Sequence, residues 1–116
     1  MSCSAGIEEL LSKYRRAACA TAQISDTKTQ NDAADLVHEC YKKLKDQSRG
    51  REGIAKLMFD PNPYVRGYAA AHALQWAPEQ ARPVLEALRN EDVFPYSLNA
   101  EIVLDEFDMG RLTFDY

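Results

Sequence analysis

The sequence predicts an all-α protein of about six helices in antiparallel pairs, and three observations carry that expectation. Apolar residues recur at helical spacing through most of the chain; the prolines and glycines fall between those periodic stretches; no segment alternates with period two for long enough to form a strand. With 116 residues, 46% hydrophobic and 28% charged, residues 1–116 form a single domain large enough for its own core.

Residues 5–25 read as the first helix, with Ile7, Leu10, Leu11, Tyr14, Ala18 and Ala22 on one face. Residues 29–47 read as the second, with Leu36, Val37, Cys40, Tyr41 and Leu44 inside and Asp35, Glu39 and Lys42 outside. The short link around Ser25–Lys28 makes 5–47 an antiparallel hairpin. Ser48–Gly53 reads as a polar break, and helical units then fill 54–110, beginning with a short helix from Ile54 to Phe59.

The chain is organised around Asp60–Trp76. Pro61 and Pro63 disfavour helix for Asp60 and Asn62, so the stretch opens as a turn. Asn62 is then the N-cap and Pro63 the first helical residue, where its missing N–H costs nothing. Val65, Ala69, Ala73 and Trp76, flanked by Ala70 and Ala77, form a stripe of mostly small residues that lets another helix approach closely. At about 100° per residue, Tyr64, Gly67, Tyr68, Ala71 and Gln75 turn away from that stripe. Pro78 ends the central helix or begins the next, and Pro83 places the start of the regular helix near itself, with Val84, Leu85 and Leu88 as the apolar side. Asn90–Asp92 is a loop. The last helix spans roughly Ser97 to Met109, capped by Ser97 and ended by Gly110.

Asp60, Pro61, Val65, Arg66, Ala69, Ala70, Ala73 and Leu74 together resemble the second helix of a HEAT-like repeat. A shift of 30 lays Ala70, Ala73 and Leu74 on Ala100, Val103 and Leu104; a shift of 36 in the other direction reaches Ala34 and Val37. Two and a half helical-hairpin units fit the length. The stretch from Val65 to Leu88, with Gln75–Glu79 inside it, and the ending Asp105–Leu112 look like a small bacterial family of unknown function with HEAT-like helices. The resemblance covers the C-terminal half. It implies a short HEAT/armadillo-like α-solenoid, right-handed, with no catalytic residues.

Charge is unevenly distributed within the net −4. Residues 1–56 carry ten Lys/Arg against eight Asp/Glu; residues 57–116 carry four against ten. An acidic half argues against nucleic-acid binding and suits a basic partner. No run is long enough for a membrane span, the first residues lack a secretory signal, and Cys3, Cys19 and Cys40 are too widely spaced for a disulfide framework or a zinc site. A reducing cytoplasm is the simplest compartment.

Phosphate loops, nucleophile elbows, zinc motifs and Ser/His/Asp sets are all lacking, so the expectation is a non-enzyme with no cofactor and no metal. His72 reads as structural, four residues after Tyr68; Arg66 reads as a turn clamp to Asp60; the basic run Lys42–Lys56 reads as solvated surface. His38 and Cys40 fall on different helix faces, and Asp105 and Asp108 share one without a third ligand.

What remains is a surface. In HEAT-like solenoids the second helix of each pair lines the concave side, which here presents Tyr64, Tyr68 and Gln75 in the middle. Glu101, Asp105 and Asp108 lie on one flank, and Asp35 and Glu39 on the other. Tyrosine supplies rigid contact area and carboxylates suit Lys or Arg. The leading expectation is a protein-binding module, in its sharpest form an immunity protein covering the phosphate-binding cleft of a basic toxin nuclease. Small acidic HEAT-like proteins are similar to such inhibitors. A generic scaffold or adaptor, including a homo-oligomer, is the alternative; a helical-repeat lyase is the third, and lacks its acid/base residues.

Overall fold

The computed structural model of the chain describes residues 3–22 and 26–114, with side chains from Gly6 onward. Six helices follow in order: α1 Cys3–Ala20, α2 Thr27–Leu44, α3 Ser48–Leu57, α4 Pro63–Ala73, α5 Pro78–Asn90 and α6 Tyr96–Asp108. There is no strand among the described residues. Ser25, expected in the first link, and the Cys3 side chain lie outside them. Cys19 and Cys40 carry free thiols.

The caps explain most boundaries. Asp26 accepts the Thr29 N–H at 3.2 Å and opens α2. Asn62 accepts the Tyr64 and Val65 N–H groups at 2.8 and 3.3 Å, and Pro63 follows it as expected. Asp92, at φ 57°, takes the left-handed conformation just past α5, and Gly110, at φ 72°, does so after α6.

Three boundaries differ from the sequence reading. The polar break at Ser48–Gly53 is the first part of α3, which begins at Ser48 instead of Ile54. Its glycines are there for close approach: a Cβ on Gly50 would strike the Leu44 backbone, and one on Gly53 would strike the Leu11 side chain. Second, α5 starts at Pro78 and carries Pro83 inside it. Pro83 is solvent-exposed, as is Glu79, whose carbonyl loses its helical donor and can be served by water. Third, Ser97 is a buried residue within α6; its Oγ donates to the Leu88 carbonyl at 2.6 Å and accepts the Val93 N–H at 2.8 Å, joining α6 to the end of α5.

The α4 helix sits in the middle, packed against α1, α3, α5 and α6. Val65, Ala69, Ala70 and Ala73 are fully buried, as the small-residue stripe requires, and Trp76 packs at the edge of the core. Ala71 and His72 are buried too, so α4 is enclosed on more than the one predicted face. Tyr14, Val37, Leu44, Ile54, Met58, Leu85 and Leu104 complete the interior. Leu36, expected inside, is exposed; Ala33 takes its place on the buried face of α2. The radius of gyration is 13.5 Å, against about 13.4 Å for a globular chain of this length. No helix among the described residues is long and apolar enough to cross a membrane.

Candidate functional site

Part of the side of α4 that turns from its alanine stripe borders a cleft. Pro63, Tyr64, Gly67, Tyr68 and Ala71 make one wall of a cleft of about 280 Å³. Tyr96, Asn99, Ile102 and Val103 of α6 make the other, Leu85 and Ala100 lie beneath, and Phe114 of the C-terminal segment borders one end. Gly67 and Ala71 keep the α4 wall low, and the Tyr64 and Tyr96 rings meet edge to face with centroids 5.5 Å apart. The Tyr96 hydroxyl donates to Glu91 at 2.6 Å, which holds that ring in place. The lining is aromatic and aliphatic, with Asn99 a polar contact.

Behind the cleft lies a buried aromatic cluster. The His72 ring stacks on Tyr41 with centroids 4.0 Å apart and 9° between planes, and meets Phe114 edge-on at 4.6 Å. The Tyr14 hydroxyl lies 2.6 Å from His72 Nδ1. Burial pushes the Tyr14 phenol well above its ordinary range and pushes His72 down to about 3, so both are neutral at pH 7. The phenol therefore donates, Nδ1 accepts, and the imidazole proton sits on Nε2. His72 is structural, and its approach to Tyr68 is looser, at 6.5 Å between centroids.

The turn before α4 is clamped twice. Asp60 receives Arg15 through two hydrogen bonds of 2.7 and 3.1 Å and also accepts the Asn62 N–H at 2.9 Å. The Arg15 bond holds its carboxyl below the usual range. Arg66 does clamp the turn, but through the Asp60 and Pro61 carbonyls at 3.0 and 2.9 Å, while the Asp60 carboxylate serves α1.

The proposed face is only partly assembled. Tyr64 and Tyr68 line the cleft. Gln75 is exposed in the turn after α4, beyond the helix and outside the lining. Glu101 and Asp105 are exposed on α6 but on its far side, each about 160° around the helix from Val103. Asp108 is held by Arg82 of α5 at 2.6 and 2.9 Å. Asp35 and Glu39 are exposed on α2, outside the cleft, with Glu39 3.3 Å from Lys42. The tyrosines and the carboxylates therefore occupy different surfaces. The residues that sequence reasoning missed, Tyr96, Asn99 and Val103, follow Tyr64, Gly67 and Ala71 by 32, whereas the buried residues align at 30. The 30-residue overlay matches core residues, and the facing walls follow a different offset. Among the described residues no three His, Cys, Asp or Glu side chains are grouped to hold a metal.

A family model described as a domain of unknown function, DUF2019, matches residues 9–108. The crystal structure of the protein RPA1889 from Rhodopseudomonas palustris CGA009 is similar, with a TM-score of 0.84 and 25% identity over 92% of each chain. No curated protein matches the chain significantly.

Proposed function

The chain belongs to the DUF2019 family, and from that premise we propose that it is a non-catalytic module that binds another protein through the cleft between α4 and α6. The observation that carries this reading is the set of Tyr64, Tyr68 and Tyr96 on facing walls above a floor of Leu85 and Ala100. At about 280 Å³ the cleft is smaller than a typical small-molecule pocket and fits one or two anchor side chains of a protein partner. The architecture we propose is a short HEAT-like stack. Its support is that the equivalent positions Gly67 and Ser97 both face Leu88 of α5: a Cβ on Gly67 would lie 3.7 Å from Leu88 Cδ1, and the Ser97 hydroxyl donates to the Leu88 carbonyl.

The partner in this reading is basic, because residues 57–116 carry ten acids against four basic side chains. A toxin nuclease neutralised by this chain in the cytoplasm is its sharpest form; an adaptor role is the alternative. Partner capture from the source cell, followed by surface plasmon resonance, tests the reading. Tyr64→Ala and Tyr68→Ala should each raise the dissociation rate about 30-fold or more, a hot-spot loss of ~2 kcal/mol. Unchanged dissociation in both variants overturns the cleft as the site. A captured partner whose nuclease activity survives saturation with this chain overturns the inhibitor form and leaves the adaptor.

A further inference from the structure

We infer that the outer face of α6 is a docking surface for a cationic amphipathic helix of the partner, an inference that rests on the protein-binding reading above. Leu98, Ile102, Asp105 and Met109 recur at i, i+4, i+7 and i+11, within about 60° of one another around the helix. The apolar three are 46%, 50% and 62% exposed, and Phe94, in the turn just before α6, is 74% exposed. Singly, such residues are ordinary on a surface; at helical spacing they make the kind of stripe that another helix covers. Ile102 also lines the cleft, so the stripe borders the cleft at that one residue.

Charge selects the occupant. The α6 sequence holds four acids and no Lys or Arg. Arg111 occupies Glu106 at 2.8 Å and Arg82 occupies Asp108. Glu101 and Asp105 make no ion pair among the described residues, and Asp105 stands within the apolar stripe. A second copy docked by a twofold axis would gather the Glu101 and Asp105 carboxylates of both copies into one desolvated contact, where like charges repel strongly. An anionic lipid surface is disfavoured by the same charges. A partner helix with apolar residues at i, i+4 and i+7 and Lys or Arg beside them satisfies both the stripe and the acids.

The test is a nuclear magnetic resonance titration of the ¹⁵N-labelled full chain with two synthetic helical peptides, one of Leu and Lys in heptad spacing and one with Glu replacing every Lys. Amide shifts should concentrate on residues 94–109 with the Lys peptide and be absent with the Glu peptide. Leu98→Ser, Met109→Ser and Asp105→Asn, all at exposed positions outside the cleft, should each weaken Lys-peptide binding about tenfold. Shifts located elsewhere, equal binding of the Glu peptide, or indifference to all three variants would overturn the surface. Concentration-dependent dimerisation in sedimentation velocity, lost in Leu98→Ser, would overturn the choice of occupant. Neither result touches the cleft reading, which Tyr64→Ala and Tyr68→Ala decide against the captured partner.

Discussion

His72 is the residue whose surroundings have the clearest consequence. Buried against Tyr41 and Phe114 and bonded to Tyr14, it stays neutral in the folded chain, with its pKa pushed down to about 3 by burial. In the unfolded chain the same imidazole takes a proton near pH 6.5. Below that pH the unfolded state binds a proton that the folded state refuses, so stability falls on acidification, by up to about 1.4 kcal/mol per pH unit. Asp60 and Asp108, whose carboxyls are held low by Arg15 and Arg82, contribute stability that is lost only as pH falls below about 4. The window from pH 6.5 to 5 therefore isolates the histidine. Urea unfolding should show a loss of about 2 kcal/mol between pH 7 and pH 5 from this group. In His72→Gln, which keeps an acceptor but cannot titrate, that slope should flatten even though the starting stability is lower. An unchanged slope would mean that the imidazole is protonated inside the fold.

At the scale of the element, α4 has two alanines whose environments differ by what lies beyond them. Ala73 is fully buried in the core. Ala73→Leu overpacks it at a cost of ~1–3 kcal/mol, which should lower the melting temperature by about 4 °C or more. Ala71 is buried as well, contrary to the outward placement that periodicity suggests, but it borders the cleft. Ala71→Leu therefore has open space to enter. Its melting temperature should stay close to the parent while partner binding is lost, because the new side chain occupies the anchor's place. A melting loss as large as that of Ala73→Leu would show that the cleft is closed in solution.

For the molecule as a whole, the separation of tyrosines from carboxylates would divide affinity from association rate for the proposed partner. In that proposal contacts in the cleft govern dissociation, whereas the field of an acidic surface acts over a Debye length, about 8 Å at physiological ionic strength. Glu101→Gln with Asp105→Asn should slow association with a basic partner severalfold at low salt and flatten its salt dependence. Stopped-flow association at two ionic strengths measures this directly. An association rate independent of these charges would mean that the partner approaches from another side, with the basic run of Lys42–Lys56 the next surface to test.

The sequence by itself determined the helical class, the Asn62–Pro63 start of α4, its alanine stripe and the Gly110 stop. Each is a local matter of period, cap or backbone freedom, legible within a few turns of chain. Tertiary structure alone decided the rest. Gly50 and Gly53 look like loop glycines until Leu44 and Leu11 are seen against them, and Pro83 looks like a helix start until its exposed side of α5 is known. Ser97 looks like a cap until its hydroxyl is found on Leu88. The candidate site depends on the same kind of information. Tyr64 and Tyr68 could be assigned to an outward face from periodicity, but which face of α6 meets them is set by how both helices pack on α5. A turn of less than half a helix circumference there sends Tyr96 and Val103 into the cleft and leaves Glu101 and Asp105 on the opposite side.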